Sequence, residues 1–262
     1  MRRLEIPAEW LVPDWPVPAN VRSMCTTRAG GVSVGPYEGL NLGLHVGDVP
    51  DDVLRNRAVL HDAIGVQPVF LQQVHGTDVL PLDLQSAGTH DGAIADACIA
   101  TTPGVACTIM VADCLPVLFA DASGTRVAAA HAGWRGLAAG VLERTLVQLD
   151  VESPVVWLGP CIGPNSFEVG DEVKAAFAAS SPEAADCFRP IGESGKWWAD
   201  LAALARQRLR AAGVVAIHGN DGSDAWCTVR SPLRFFSHRR DGISGRFAAC
   251  VWLDGSHGNS SG

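Results

Sequence analysis

One cysteine and two histidines lie where strands of the predicted fold end. Cys114 follows the apolar start of MVADCLPVLFA, His131 ends the apolar strand in TRVAAAHAG, and His75 lies at a strand end in QQVHG. Because adjacent strands bring their ends to one rim of a sheet, these side chains can meet there. Two imidazoles and a thiolate can hold zinc and leave a fourth coordination position open. Spacing alone leaves two interpretations open: a metal site, or three unrelated structural side chains.

A carboxylate, Asp113, precedes Cys114 within this apolar segment. A buried carboxylate is costly unless a partner satisfies it. Asp113 can therefore carry a proton in catalysis, orient a ligand, or support the site from behind a ligand, and we favour the supporting role. A different chemistry is also open, in which Cys114 attacks as a thiolate and His131 serves as its base.

Three arginine-containing segments could bind an anion. HAGWRG places Arg135 at a strand-to-helix turn, where backbone N–H groups and a guanidinium can hold phosphate. TTRAGGVS offers Arg28 in a weaker version of that arrangement. FFSHRRDGISGR places Arg239, Arg240 and Arg246 near two aromatic residues. This last segment fits either a solvated hairpin or the mouth of an anion pocket.

The elements that must position these residues alternate between helix and strand. Because clusters of strands interrupt the helices, a mixed α/β (α+β) fold is favoured over a doubly wound sheet. Apolar periodicity predicts helices over 51–64, 137–150, 172–179 and 199–212, and closing strands near 213–218, 225–230 and 246–253. We expect an irregular N-terminal segment over 1–20, a single catalytic domain over 21–253 and a disordered tail over 254–262.

Composition restricts the possible partners and location. The chain has 262 residues, 47% of them hydrophobic, and a formal net charge of −8, which argues against a nucleic-acid or anionic-membrane surface. No apolar run approaches the roughly 20 residues of a membrane span, and none follows the first arginines as in a secretory signal. The eight cysteines form no C-x-x-C pair. These features predict a cytoplasmic protein with reduced thiols.

Five motifs together resemble those of the laccase-domain family, formerly described as multicopper polyphenol oxidoreductases. They are QVHG (73–76), ADC-x-P (112–116), HAGWRG (131–136), GPCIGP (159–164) and FFS-x-RRDG-x-x-GR (235–246). The likeness extends from about residue 21 to residue 253. It implies mixed β-sheets in an α/β/β/α layered sandwich, with zinc in a surface pocket. By the same resemblance, the zinc ligands fall on His75, Cys114 and His131.

The resemblance also implies an activity. Family members are regarded as zinc-dependent purine nucleoside phosphorylases, acting on adenosine, inosine, guanosine and methylthioadenosine, with adenosine deaminase as a side activity. A purine nucleoside and phosphate would then be the partners, and we expect a monomer or a weak homodimer. Arg28 and Asn41 match pocket-lining positions of the family pattern. His238 and Phe167 stand where tyrosines are usual, which puts the substrate preference in doubt.

Other classes of protein remain as alternatives. A cysteine-dependent amidase that edits peptidoglycan precursors, a role proposed for bacterial relatives, would use Cys114 as the nucleophile. A copper-dependent polyphenol oxidoreductase is less favoured, because a trinuclear copper cluster needs His-x-His pairs and the eight histidines contain none. Copper can nevertheless occupy a His/His/Cys site in place of zinc. A purely structural zinc site is disfavoured, since such sites are usually closed by four protein ligands.

Overall fold

The computed structural model describes residues 6–85 and 87–255. The strands are β1 (Val21–Cys25), β2 (Gln67–Phe70), β3 (Val79–Leu82), β4 (Ala97–Ala100), β5 (Val105–Val111), β6 (Leu115–Asp121), β7 (Val127–Ala132), β8 (Pro154–Leu158), β9 (Glu168–Gly170), β10 (Phe188–Pro190), β11 (Lys196–Ala199), β12 (Ala216–Gly219) and β13 (Phe247–Leu253). The helices are α1 (Pro50–Ile64), α2 (Ala87–His90), α3 (Trp134–Ala139), α4 (Val141–Leu149), α5 (Asp171–Ala178), α6 (Leu201–Ala211) and α7 (His238–Asp241).

The strands form sheets of four, six and three strands. The four-stranded sheet has the order β1-β13-β5-β2, the six-stranded sheet β12-β8-β6-β7-β4-β3, and the small sheet β10-β11-β9. Both larger sheets are mixed. β2 lies parallel to β5, and β3 parallel to β4, while β6 and β7 are antiparallel. The predicted mixed α/β fold is therefore confirmed.

A central apolar layer separates the two larger sheets. It includes Cys107 and Val251 from the four-stranded sheet and Leu118 and Ala129 from the six-stranded sheet. On β7, Ala129 faces this layer while Ala128 faces the layer under the helices. A strand covered on both faces reads as continuously apolar rather than alternating, which explains the run VAAAHA.

Helices cover the outer faces of both sheets. Leu60 and Ile64 of α1 pack with Trp252 on the four-stranded sheet. α4 and α6 cover the six-stranded sheet, and Leu142 and Leu209 are fully buried there. Each buried leucine of this kind contributes about 2 kcal/mol of transfer free energy. The layers are thus helix, sheet, sheet and helix, as the family resemblance implies.

The helix predicted over 137–150 is interrupted. Gly140 separates α3 from α4 with a backbone φ of 97°, a left-handed conformation that side chains with a Cβ rarely adopt. The helices predicted at 51–64, 172–179 and 199–212 are confirmed within one or two residues as α1, α5 and α6.

The strand predicted near 225–230 is wrong. This segment contains a short 3-10 turn, Asp224–Trp226, followed by a loop. The amide of Thr228 donates to the Cys161 carbonyl, and its hydroxyl donates to Asp113, so these donors do not enter a sheet ladder. A long-range contact has therefore replaced the local β preference.

The chain ends are described in part. Residues 6–20 hold no helix or strand, apart from a single bridge at Leu11, whereas residues 1–5 of the predicted irregular segment lie outside the described residues. Of the predicted tail, residues 254 and 255 are described and 256–262 lie outside the described residues. The boundaries at 21 and 253 stay predictions. In the described ranges, no helix has the length and apolarity needed to cross a membrane.

Candidate active site

The site forms where two connections pass from one sheet to the other. β2 and β5 belong to the four-stranded sheet, whereas β3 and β6 belong to the six-stranded sheet. His75 lies on the β2–β3 connection, and Asp113 and Cys114 lie on the β5–β6 connection. The backbone φ is 61° at His75 and 101° at Asp113. Left-handed backbone in non-glycine residues is costly and concentrates at functional sites.

The pairing of β6 with β7 brings the third residue to the same point. Pro116 lies opposite His131, so Cys114, just before β6, stands beside the end of β7. The Cys114 Sγ lies 3.6 Å from the His75 Nε2. A ligand atom from each of the three residues lies within 4.8 Å of the other two. The three residues that spacing selected are thus brought together.

The donor set fits a tetrahedral zinc ion. Zinc–nitrogen and zinc–sulfur bonds of ordinary length place two such ligand atoms about 3.5 Å apart, close to the observed Cys114–His75 separation. Gly133 leaves the necessary space, because a Cβ there would lie 2.5 Å from the His75 Cδ2 and 3.0 Å from the Cys114 Sγ. The three side chains supply three ligands and leave a fourth position for a substrate or water.

A fully buried carboxylate, Asp96, holds two of these residues in place. It accepts hydrogen bonds from the backbone amides of Val74, His75 and Gly76 at 3.1, 2.9 and 2.6 Å. Its Oδ1 also lies 2.8 Å from the Nδ1 of His131. Because Nδ1 is engaged by Asp96, Nε2 is the His131 nitrogen available to a metal. Asp96 was not predicted from the sequence. The local signal that could have identified it is an acidic residue immediately before a buried strand.

The charges of the site shift three pKa values. Burial raises the pKa of Asp96, but hydrogen bonds from His131 and Gly76 outweigh it and lower the pKa below its ordinary value. Burial also raises the pKa of the Cys114 thiol, yet the neighbouring His131 and His75 bring it down to about 6. Burial lowers the pKa of His131, while Cys114 and Asp96 raise it to about 9. In the metal-free protein the pair is therefore a thiolate and an imidazolium at neutral pH.

The Asp113 carboxylate points to a different part of the site. It accepts a hydrogen bond from the Thr228 hydroxyl at 2.6 Å and another from the backbone amide of Arg239 at 2.6 Å. Its backbone carbonyl accepts from the amide of Ile162. Asp113 thus connects the crossover that carries Cys114 to the segment that carries the arginines, an arrangement that favours the supporting role.

The three residues lie at the surface of a cavity of about 370 Å³. This volume falls in the usual range for small-molecule sites. The apolar part of its wall consists of Met110, Val111, Ala112, Trp134, Ile162, Phe167 and Leu201. The polar part, besides the three clustered residues and Asp113, consists of His45, Gln73, His238, Arg239 and Arg246.

Arg28 and Arg135 are not among the residues that line this cavity, and their expected place at the substrate stays a prediction. The Arg28 guanidinium donates to the backbone carbonyls of Glu38 and Pro232 and lines a separate surface groove. Arg135 is exposed and stacks on Trp134, with 4.3 Å from its Cζ to the ring centroid.

Asn41 is fully buried behind the cavity wall instead of lining it. Its Oδ1 accepts hydrogen bonds from the amides of Gly43 and Arg246, and its Nδ2 donates to Asp48. Asn41 therefore joins the loop that carries His45 to the start of β13.

The closing arginine segment divides into two roles. Arg239 and Arg246 line the cavity. Arg240 instead donates to the carbonyls of Thr228 and Phe235 and forms an ion pair with Asp241 at 2.7 Å. Two of the three arginines thus lie at the cavity, where the anion-pocket interpretation stays a prediction, and Arg240 stabilises the segment itself.

Proteins from other bacteria are similar in sequence to almost the whole of this chain. A Pseudomonas aeruginosa protein named purine nucleoside phosphorylase is 53% identical over 246 residues, which is 93% of this chain and 98% of that protein. The Escherichia coli protein named purine nucleoside phosphorylase YfiH is 49% identical, covering 93% of this chain and 98% of its own.

Solved structures show the same fold. The crystal structure of a Neisseria meningitidis protein superposes with a TM-score of 0.89 at 49% identity, covering 94% of this chain and all of that one (100%). YlmD from Geobacillus stearothermophilus superposes with a TM-score of 0.87 at 32% identity, covering 96% and 98%. Residues 22–254 match the family model described as multi-copper polyphenol oxidoreductase laccase. The chain therefore belongs to the multi-copper polyphenol oxidoreductase laccase family.

Proposed function

We propose that this protein is a zinc-dependent purine nucleoside phosphorylase. Its substrates would be adenosine, inosine, guanosine and methylthioadenosine, with adenosine deaminase as a side activity in the cytoplasm. Relatives named purine nucleoside phosphorylase, 53% and 49% identical over almost the whole chain, support the reaction class. The observation that carries the proposal is the three-ligand cluster, His75, Cys114 and His131, at a cavity with both aromatic and arginine walls.

The reaction exchanges one bond at the ribose for another. An oxygen of orthophosphate forms a bond to C1′ while the bond from C1′ to the purine nitrogen breaks. The bonding electrons leave with the purine, which takes up a proton, and ribose 1-phosphate is the second product. Since positive charge develops on the ribose, the site must position the anionic nucleophile and stabilise the departing base.

The chain's own residues account for the binding part of this task. Trp134 and Phe167 present aromatic surfaces to a purine, and the surrounding apolar wall limits access of water. Arg239 and Arg246 present cationic groups to phosphate. His75, Cys114 and His131 would hold zinc, which when bound supplies Lewis acidity at its open coordination position for base departure or for deamination.

Product analysis with and without phosphate tests the proposal. The zinc-loaded protein is incubated with adenosine or inosine, and free base, ribose 1-phosphate and inosine are quantified by chromatography. We expect base release to increase with phosphate and ribose 1-phosphate to form in equal amount. Inosine formed from adenosine without phosphate would measure the deaminase activity. Base release that ignores phosphate would contradict phosphorolysis.

A cysteine hydrolase is the second candidate, and one observation favours it. Cys114, His131 and Asp96 stand in the order of nucleophile, base and orienting carboxylate, and the thiol pKa is about 6. His75, however, adds a third ligand that a hydrolase does not need. Stoichiometric zinc on Cys114 leaves no free thiolate, so activity resistant to chelators but abolished by alkylation would favour the hydrolase. Metal analysis of the isolated protein decides between zinc and copper.

A further inference from the structure

We infer that Arg239 and Arg246 form the orthophosphate subsite of the cavity, with His45 and His238 at its edge. This inference rests on the proposed phosphorylase function and names the residues that would hold its second substrate. It moves the phosphate site from the glycine-rich turns of Arg28 and Arg135 to the segment that closes the chain.

Arg246 is held in place by groups that do not neutralise it. Its Nη1 donates to the carbonyls of Ser244 and Gly245 at 2.9 and 3.0 Å, and its backbone amide donates to the Asn41 Oδ1 at 2.8 Å. A Cβ on Gly43 would lie 2.9 Å from the Arg246 Cγ, so the backbone packs closely against the side chain. A guanidinium fixed by neutral carbonyls keeps its charge for a ligand.

Arg239 is fixed in a similar way from the other side of the segment. Its Nη1 donates to the Glu168 carbonyl at 2.9 Å, and its Cζ lies 5.5 Å from the centroid of the Phe167 ring. Its backbone amide, not its side chain, binds Asp113. A substitution of the Arg239 side chain therefore leaves the hydrogen bond to Asp113 available.

The charge balance of the cavity favours an anion. Among the described residues, Arg239 and Arg246 form no ion pair, whereas Arg57, Arg208 and Arg240 each pair with a carboxylate. Arg28 and Arg206 also donate to backbone carbonyls and form no ion pair, but they do not line the cavity. Asp113 and Cys114 do act on Arg246 electrostatically. The Asp113 carboxylate keeps its charge, because the groups that bind it, the Thr228 hydroxyl and the Arg239 amide, are neutral. A bound metal would neutralise the Cys114 thiolate, so the cavity would hold two guanidinium groups and one carboxylate.

A neutral nucleoside offers no charged partner for two guanidinium groups that form no ion pair, whereas orthophosphate does. At neutral pH phosphate carries close to two negative charges and several acceptor oxygens, which match planar guanidinium donors. His45 and His238 also line the cavity, and His45 lies close enough to Arg246 to interact with it electrostatically. The two arginines therefore offer a site for orthophosphate, the substrate that neither the three candidate metal ligands nor the aromatic wall would bind.

Direct binding and kinetics test the assignment together. Orthophosphate is titrated calorimetrically into zinc-loaded wild type, Arg239→Gln and Arg246→Gln, and the KM for phosphate is measured in phosphorolysis of inosine. Loss of one charge-assisted interaction predicts about ten- to hundredfold weaker phosphate binding and a similar rise in the phosphate KM. The zinc content and the KM for inosine should change by less than about threefold.

Control variants show whether weaker phosphate binding comes from the lost charge or from impaired folding. Arg55→Gln removes an exposed arginine on α1 that pairs with Asp52 and should leave phosphate binding unchanged. Arg246→Lys keeps the charge without the planar fork, so we expect an intermediate affinity. If Arg246→Gln loses zinc or folds poorly, Arg239→Gln and Arg246→Lys carry the test. Wild-type phosphate affinity in Arg239→Gln and in both Arg246 variants would overturn the assignment.

Two further measurements, phosphate binding by Arg135→Gln and the binding of AMP, together with the product analysis, distinguish the ways in which the inference or the proposed function could fail. If Arg135→Gln weakens phosphate binding and the cavity variants do not, the subsite is at the glycine-rich turn and the inference is wrong. If AMP binds through the same arginines while orthophosphate does not bind, the site takes a nucleotide phosphoryl group and the inference is also wrong. If orthophosphate binds through Arg239 and Arg246 but base release ignores phosphate, the subsite stands and the phosphorylase function fails.

Discussion

Two buried aspartates flank the cluster and secure different halves of the cavity. Asp96 binds the amides of residues 74–76 and the imidazole of His131. Asp113, adjacent to Cys114 in sequence, binds Thr228 and the amide of Arg239. The half of the cavity that holds the candidate metal ligands (the ligand half) therefore depends on Asp96, which is remote from them in sequence. The half that holds Arg239 and Arg246 (the arginine half) depends on Asp113, which is next to Cys114. Proximity along the chain does not reveal which group a carboxylate positions.

Removal of a metal ligand should have the largest effect on metal binding. The loss in that variant is the reference for the two aspartate variants. Cys114→Ala deletes the thiolate, so we expect the bound metal to fall from about one per chain to near zero, with metal affinity more than about 100-fold weaker. Metal analysis after dialysis, beside His131→Ala, measures this. Full metal retention in Cys114→Ala would place the metal elsewhere and remove the basis of the comparison.

Asp96→Asn should have the next largest effect. An amide cannot accept from all four donors, so we expect metal affinity about 10- to 100-fold weaker and a free energy of unfolding about 3 kcal/mol lower. Competition with a chromogenic chelator and denaturant unfolding measure these changes.

The same variant has a distinct pH dependence of stability. Because the pKa of Asp96 is lowered in the folded state, its contribution is present above the unfolded value of about 4 and is lost as pH falls through the folded pKa. The stability difference between metal-free wild type and Asp96→Asn should therefore shrink in acid. The part that comes from the raised pKa of His131 should be lost as pH rises from the unfolded value of about 6.5 to about 9. A difference that disappears near neutral pH would contradict this origin.

Asp113→Asn should spare the metal and affect the arginine half. We expect the metal content to stay near wild type, while the phosphate KM rises about tenfold because the Arg239 segment loses a charge-assisted hydrogen bond. Phosphorolysis kinetics on metal-matched samples measure it. If Asp113→Asn loses more metal than Asp96→Asn, the two roles are reversed.

The rate of alkylation of Cys114 should differ between the two aspartate variants, by less than the metal affinity does. In the metal-free protein, its pKa of about 6 predicts a labelling midpoint near pH 6 and labelling several-fold faster at pH 7 than Cys187, whose burial raises its pKa to about 11. Mass spectrometry after iodoacetamide pulses resolves the two sites. Asp96→Asn should move the Cys114 midpoint upward by weakening the His131 imidazolium, and Asp113→Asn should move it less. Equal shifts would contradict separate roles.

The smallest effects should come from the two departures from the family pattern. His238→Tyr and Phe167→Tyr change side chains on the cavity wall. We expect ratios of kcat/KM between adenosine and inosine to change by less than about tenfold, with unchanged metal content. Changes in metal content would show that the wall and the ligand half are coupled.

Local patterns predicted much of this fold for physical reasons. The apolar period of α1 was sufficient to place that helix, because it depends on residues within one or two turns of each other. The segment 225–230 was assigned wrongly, because its hydrogen bonds go to Cys161 and to Asp113, which are distant in the chain. The sequence also does not reveal that β5 and β6, joined by a short turn, belong to different sheets.

The linear order of residues identified His75, Cys114 and His131 as candidates, because their types and their places at strand ends are local properties. Spacing left a metal site and three unrelated side chains both open, and the matching motifs then favoured the metal site. The three-dimensional packing decided what surrounds them. Asp96 reaches the cluster, Arg28 and Arg135 are directed elsewhere, and other arginines take the cavity wall. Each of these outcomes depends on the direction of a side chain at a turn, which is set by contacts across tens to more than a hundred residues, such as Thr228 with Asp113 and Arg246 with Asn41.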